Sequence, residues 1–342
     1  MLNLREIGKV ELHRHLEGSL RVASLLEIAR EHRLPLPAAT LEALAAKVQV
    51  LQPMGDLMEV LAAFDVFQRS FVTTELVERL TFEAVEDAAR ENIRLLELRF
   101  SPDFMARPHS LDWDALMEAL LRGVARARRE HDLAVGLIAI ASRGYGVESA
   151  VKTAAFALRW RHALVGFDLA DDEIRFPSRL FVEPLSGVRA AGLPITVHSG
   201  EAAGPEFVWQ SIELLGASRI GHGVAVAAEA RLIEKCIAGK ITLEMCPTSN
   251  LRTRAVPSMV EHPASRLLRA GVQVTLNSDD PGLFGIDLTH ELEVARRELG
   301  FSDRELALAT RHALEASFLP AGEKAALIRR HFGWIQELLA PA

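Results

Sequence analysis

Cysteine is almost missing from this chain of 342 residues. Its two cysteines, Cys236 and Cys246, form no C-x-x-C pair and cannot build a disulfide framework, which fits a reducing cytoplasm. Positive charge is also short. The formal net charge is -7, which argues against a nucleic-acid surface, because such a surface needs a basic stripe. Arginine outnumbers lysine, but the arginines are dispersed and make no phosphate-binding patch. No apolar run approaches the ~20 residues of a membrane span; "LAVGLIAIA" has only the length of a strand. "MLNLREIGKV" lacks the apolar stretch of a secretory signal. These absences lead to the expectation of a cytoplasmic protein with neither a membrane nor a nucleic-acid partner. Low-complexity linkers and internal repeats are missing too, so residues 1–342 are expected to form a single domain.

What the chain has is alternation. Its length suits an α/β barrel and can bury a core without covalent staples. Eight short apolar runs punctuate it: "KVELH" from Lys9, "IRLLELRF" from Ile93, "LAVGLIAI" from Leu133, "LVGFDL" from Leu164, "LPITVH" from Leu193, "RIGHG" from Arg219, "KITLEM" from Lys240 and "VQVTLNSDD" from Val272. Between them lie amphipathic segments such as "TELVERLTFEAVEDAARE", "DALMEALLRGVARARREH" and "EARLIEKCIAG". Most of the runs are too apolar to be half-exposed, as expected of parallel strands buried on both faces. Eight βα units predict a (β/α)8 TIM barrel. A doubly wound open sheet would need a glycine-rich phosphate loop after its first strand, and "HLEGSL" there is not G-x-G-x-x-G. The region from about Leu34 to Phe71 adds helices placed to cap the barrel mouth. Phe64, Phe67 and Phe71, spaced i, i+3 and i+7, read equally as an apolar lid or as a core-facing stripe.

In a barrel of this kind, catalytic groups come from the C-terminal strand ends. The first strand ends in His13 and His15, which project to one face because i and i+2 do so on a strand. Side by side, two neutral imidazoles can chelate a metal ion. The fifth strand ends "TVHSGE", giving His198 and Glu201; the sixth carries "GHG", giving His222; the eighth ends "NSDDP", giving Asp279 and Asp280. Singly, each has a plain alternative: a solvated strand end, a core histidine bonded to a carbonyl, a glutamate at a helix N-terminus, a turn before Pro281. Their coincidence at four strand ends weighs against all of these at once. His13, His15, His198 and Asp279 make a set of three nitrogens and one oxygen that suits one Zn²⁺ with a position left for water. Zinc lowers the pKa of bound water toward ~7. Glu201, His222 and Asp280 remain as acid, base and substrate-orienting groups, so the expected chemistry is hydrolytic. A cytidine-type zinc site needs P-C-x-x-C, whereas Cys246 is followed by "PTSN". A binuclear site would usually take a lysine at the fourth strand, and "GFDLADDE" has none.

"ELHRHLEGSL", "GFDLADDE", "VHSGE", "RIGHG", "LEMCPTSN" and "LNSDDP" resemble, in order, the signature segments of the adenosine deaminase family of the amidohydrolase superfamily. "LRFSPDFMA" resembles a further segment, so the resemblance spans nearly the whole chain. It implies a zinc barrel that hydrolyses the 6-amino group of a purine nucleoside and releases ammonia. It places the metal ligands on His13, His15, His198 and Asp279, the proton donor to purine N1 on Glu201, the water-orienting histidine on His222 and the contact to purine N7 on Asp280. The substrate end is then lined by His15, Glu17, Asp171 and Asp280. Two residues depart from the family pattern. Glu17 stands where adenosine deaminases usually carry an aspartate that meets the ribose 5′-hydroxyl. Asp171 stands where glycine usually lets a backbone N–H approach purine N3. Branches with "HLEG" act on adenine or on 5′-modified adenosines such as aminodeoxyfutalosine, so both stay as alternatives to adenosine. A catalytically silent nucleoside-binding barrel would be expected to have lost Glu201 or a metal ligand, and all are present.

Overall fold

Strands form at all eight apolar runs of the computed structural model, which describes residues 2–340. They are β1 (Lys9–His15), β2 (Ile93–Phe100), β3 (Ala134–Ser142), β4 (Leu164–Ala170), β5 (Ile195–Ser199), β6 (Arg219–His222), β7 (Thr242–Met245) and β8 (Gln273–Leu276). Each pairs in parallel with the next, in chain order. The ring returns to its start through a single parallel bridge between Arg14 and Asp279. There the His15 N–H donates to the Asp279 carbonyl and the Asp279 N–H to the His13 carbonyl, both at 2.9 Å. The architecture is a (β/α)8 barrel.

The helices follow from local chemistry. Helix Thr74–Arg90 starts where the Thr73 hydroxyl accepts the Leu76 N–H, and helix Trp113–Glu130 where Asp112 accepts that of Ala115. Each buries one stripe, Leu76, Leu80 and Ala84 on the first and Leu116, Leu120 and Val124 on the second. The two helices pack against each other where Gly123 lets the second approach Glu78 and Thr81 of the first.

The barrel axis is less apolar than the runs suggest. Glu97 and Arg99 of β2, Asp168 of β4, Arg219 of β6 and Glu244 of β7 are all essentially unexposed. Arg99 pairs with Asp168 at 2.7 Å and with Glu244 at 2.8 Å. Arg219 pairs with Glu97 at 2.7 Å and with Glu244 at 2.6 Å. Residues i and i+2 share a strand face, so Glu97 and Arg99 both point inward while Leu96 and Leu98 cover the outer face. Buried ions persist only when paired, and here they are paired around the ring.

Between β1 and β2, helices Leu57–Ala62 and Asp65–Arg69 sit over the mouth, while helix Leu41–Val48 packs on helix Val22–His32. The helical run breaks at residues 63–64, so the three phenylalanines do not share one stripe. Phe67 and Phe71 are fully buried in the core, while Phe64 faces the cleft with its ring edge-on to Phe104 at 6.0 Å. Among the described residues, no helix is long and apolar enough to cross a membrane.

Candidate active site

His13, His15, His198 and Asp279 converge at the C-terminal mouth, each offering one atom within 4.8 Å of the others. His13 Nδ1–H donates to Glu244 at 2.8 Å and His198 Nδ1–H to Asp168 at 3.1 Å. Both rings thereby turn Nε2 inward. The His13 Nε2 is buried without a hydrogen-bond partner, 3.4 Å from Asp279 Oδ1. His198 Nε2 lies 3.2 Å from His15 Nε2, which is 3.3 Å from the same carboxylate oxygen. Burial pushes His15 well below the usual imidazole range and His198 below it, so both are neutral donors. Burial works against charge on Asp279, yet the neighbouring His13, His222 and His15 imidazoles hold it well below the carboxylate range. Lone pairs and a carboxylate aimed at one point are what a divalent cation satisfies, and the donor set fits zinc.

The cluster floors a cleft of about 660 Å³, whose walls include Glu17, Phe64, Asp171, Glu201, His222 and Asp280. Glu201 follows β5 in a loop clamped from below. The Glu173 carboxylate accepts the backbone N–H groups of Gly200, Glu201, Ala202 and Ala203, at 2.8 to 3.0 Å. Burial, reinforced by the Asp279 charge, pushes the Glu201 carboxyl up to about 8. His222 Nε2 stands 3.4 Å from Glu201 and 4.0 Å from Asp279. Asp280 is buried, with Oδ1 unpartnered. Burial and the charges of Asp279, Glu17 and Glu201 hold it well above the ordinary range. Glu17 is buried as well: Oε1 accepts the Ser101 N–H at 2.5 Å and Oε2 has no partner. Burial brings it up to about 7. Two glycines make room. A Cβ on Gly18 would collide with the Asp280 carboxylate, and one on Gly221 would come within 2.8 Å of the His13 ring. His222, Asp279 and Asp171 all have positive φ, at 62°, 61° and 86°, a strain that clusters at functional sites. Asp171 is half-buried, and its carboxylate accepts the N–H groups of Gly144 and Asp172 at 3.1 and 2.6 Å, turned toward the loop.

A family model for adenosine deaminase matches residues 8–332. The chain belongs to the adenosine deaminase family. It is 42% identical to a protein from Shewanella loihica named adenosine deaminase, over 94% of this chain and 97% of that one. Among solved structures, an adenine deaminase from Arthrobacter aurescens superposes with a TM-score of 0.89 at 25% identity, covering 96% of this chain and 99% of that chain. Arabidopsis ADAL complexed with IMP superposes with a TM-score of 0.86 at 28% identity, covering 99% and 100%.

All seven residues singled out at the strand ends of this family member, with Glu17 and Asp171, border one cleft or its floor. Sequence reasoning missed the groups behind them: Glu244 and Asp168, which orient two imidazoles, Glu173, and Asn250 behind His222. Each lay inside a segment already singled out, as the charge in "TLEM" and "GFDL", the last residue of "DLADDE" and the last of "CPTSN". A charge at an inward strand position was the available signal for the first two.

Proposed function

We propose that the protein is a zinc-dependent deaminase that converts adenosine and water to inosine and ammonia. The observation that carries this reading is the convergence in one cleft of the four donors His13, His15, His198 and Asp279 with the buried Glu201 carboxyl, which burial pushes up to about 8. One zinc per chain, held by His13, His15, His198 and Asp279, would lower the pKa of a bound water toward ~7. Glu201 delivers its proton to purine N1, which makes C6 a better electrophile. Once ionised, it can take the two protons of the incoming water oxygen in turn, passing the first to the departing amino nitrogen and keeping the second, which restores the acid as the C6 carbonyl forms. His222 stands over the same point and orients that oxygen. Asp280, held protonated by its surroundings, has an O–H to donate to purine N7.

Adenosine is favoured over its analogues by Glu17. One oxygen is fixed by Ser101 and the other is buried and free, a site for a hydroxyl donor such as the ribose 5′-OH. A 5′-phosphate would set its charge against the Glu17 carboxyl, whose own ionised form burial already disfavours. The name carried by the 42% identical relative supports the same substrate. The test is a panel of adenosine, 5′-deoxyadenosine, methylthioadenosine, AMP and adenine, followed by ultraviolet absorbance. A buried carboxylate left unpaired costs ~1–3 kcal/mol, so adenosine should exceed 5′-deoxyadenosine by roughly 10–100-fold in kcat/KM. Glu17→Ala should erase that margin. A higher kcat/KM for a 5′-deoxy or 5′-thioether substrate would overturn the assignment in favour of a 5′-modified adenosine, and a higher value for adenine would favour the free base.

A further inference from the structure

Asn250 lies behind His222, fully buried, on the short helix Pro247–Arg252. Its Nδ2 is 3.0 Å from His222 Nδ1, and its Oδ1 is 3.1 Å from His262 Nε2. His262 is buried too, and its Nδ1 receives the backbone N–H of Ala264 at 3.3 Å. That backbone group is the fixed point of the chain, because an amide N–H can only donate. His262 Nδ1 therefore carries no proton. Burial pushes His262 down to about 4, which keeps the ring neutral with its one proton on Nε2. That proton needs an acceptor, which puts the carbonyl oxygen of Asn250 on the His262 side. The Asn250 amide nitrogen must then face His222 and donate to Nδ1. His222 is left with its proton on Nε2, the atom that looks into the cleft toward Glu201 and Asp279.

We infer that Asn250 and His262 are positioning residues that lock His222 in the Nε2–H tautomer, so that it presents a hydrogen-bond donor to the reacting oxygen and is not the base that deprotonates it. The proton released when the water O–H bond breaks then goes to the ionised Glu201 carboxylate, and the His222 N–H bond stays intact throughout. One backbone amide, at Ala264, sets the orientation of three side chains in series. Neither contact of Asn250 is visible in sequence spacing, since it is 28 residues from His222 and 12 from His262. The kinetic consequence presupposes the deaminase reading; the position of the ring proton does not.

The direct test is the ¹⁵N NMR spectrum of the histidine-labelled full-length protein, with the His222 signals assigned by their loss in His222→Gln. The expected result is a proton-free Nδ1 and a protonated Nε2, both before and after zinc is added. Asn250→Asp keeps the shape but replaces the donor with an acceptor, and should draw the proton to Nδ1. Holding a catalytic histidine in the wrong tautomer costs up to ~10⁴-fold elsewhere, so kcat should fall roughly 10²–10⁴-fold while KM and bound zinc stay unchanged. His262 supplies an independent pair should Asn250→Asp not fold. His262→Gln keeps an N–H for Asn250 and should stay within ~3-fold of the parent kcat, whereas His262→Leu should lose roughly tenfold and show a mixed His222 tautomer. A protonated Nδ1 in the unmodified protein overturns the assignment. So does an Asn250→Asp enzyme with near-parental kcat, or a set of losses that track KM and zinc content in place of the tautomer.

Discussion

Glu201 and Asp279 are both buried carboxyl groups within 4.0 Å of the same imidazole nitrogen, yet they settle on opposite sides of neutrality. Asp279 lies among the His13, His222 and His15 imidazoles, which offset its desolvation. On Glu201, burial and the Asp279 charge outweigh the Thr253 hydroxyl and His13, and push the carboxyl up to about 8. On the proposed reading, the pair separates a metal ligand from a proton donor with identical chemistry and different surroundings. Glu201→Gln should bind metal normally and lose roughly 10²-fold or more in kcat, the usual contribution of a positioned acid; turnover near the parental rate would place the acid elsewhere. In the parent, kcat/KM should fall as pH rises past about 8, because the acid form is the active one. A flat profile to pH ~10 would contradict the assigned donor. The identity of such residues was readable in the sequence, since His, Glu and Asp at the ends of apolar strands have few structural reasons to be there. Their protonation states were not, because these depend on neighbours such as Glu244, which is 231 residues from the His13 it orients.

The strands were legible as elements because apolar runs of strand length alternated with helix-period stripes, and the small errors at their ends have local causes. β5 begins at Ile195 and not at Leu193 because Pro194 has no N–H to give the ladder. β7 begins at Thr242 because Lys240 closes the preceding helix with a left-handed φ of 51°. The mouth helices were legible as extra material, but the break that turns Phe64 to the cleft and Phe67 to the core was not, since the spacing alone is that of one stripe. Loops carry the remaining precision. The loop after β4 holds the loop after β5 through one Glu173 carboxylate and four backbone N–H groups. Glu173→Ala strips all four donors of their acceptor. Leaving buried donors unpaired costs ~1–3 kcal/mol each when water cannot replace the partner, so a loss of at least ~2 kcal/mol in urea unfolding is expected. The same variant should lower kcat more than it raises KM, because the loop it frees bears the proton donor. An unchanged unfolding midpoint with unchanged kcat would show that the loop holds itself.

Taken as one molecule, the barrel stores titratable groups that favour the neutral form. Burial raises Glu11 and Glu17 to about 7 and Glu201 and Glu291 to about 8. In an unfolded chain the same groups ionise near ~4.3. Between pH ~6.5 and ~8 the native chain therefore still binds protons that the unfolded chain has already released, and stability must fall as pH rises. His15, His198 and His222, lowered by burial, are neutral in the native chain across this window and hardly oppose the trend. The Tm of the metal-free protein should drop over that range, and a rising Tm would mean that the carboxyl groups are ionised in the fold. The bridge between Arg14 and Asp279 has a separate consequence. It joins the first strand made to the last, and His13, His15 and Asp279 stand on either side of it. A metal bound there acts as a clasp fastening the two ends of the barrel wall. A nascent chain cannot close that clasp until residue 279 has been synthesised, so metal uptake comes as a final act of folding and not as its nucleus. Chelation should then speed hydrogen exchange first at the His15 and Asp279 amides, leaving the β2–β3 ladder protected; uniform acceleration around the ring would show that the wall opens as a whole.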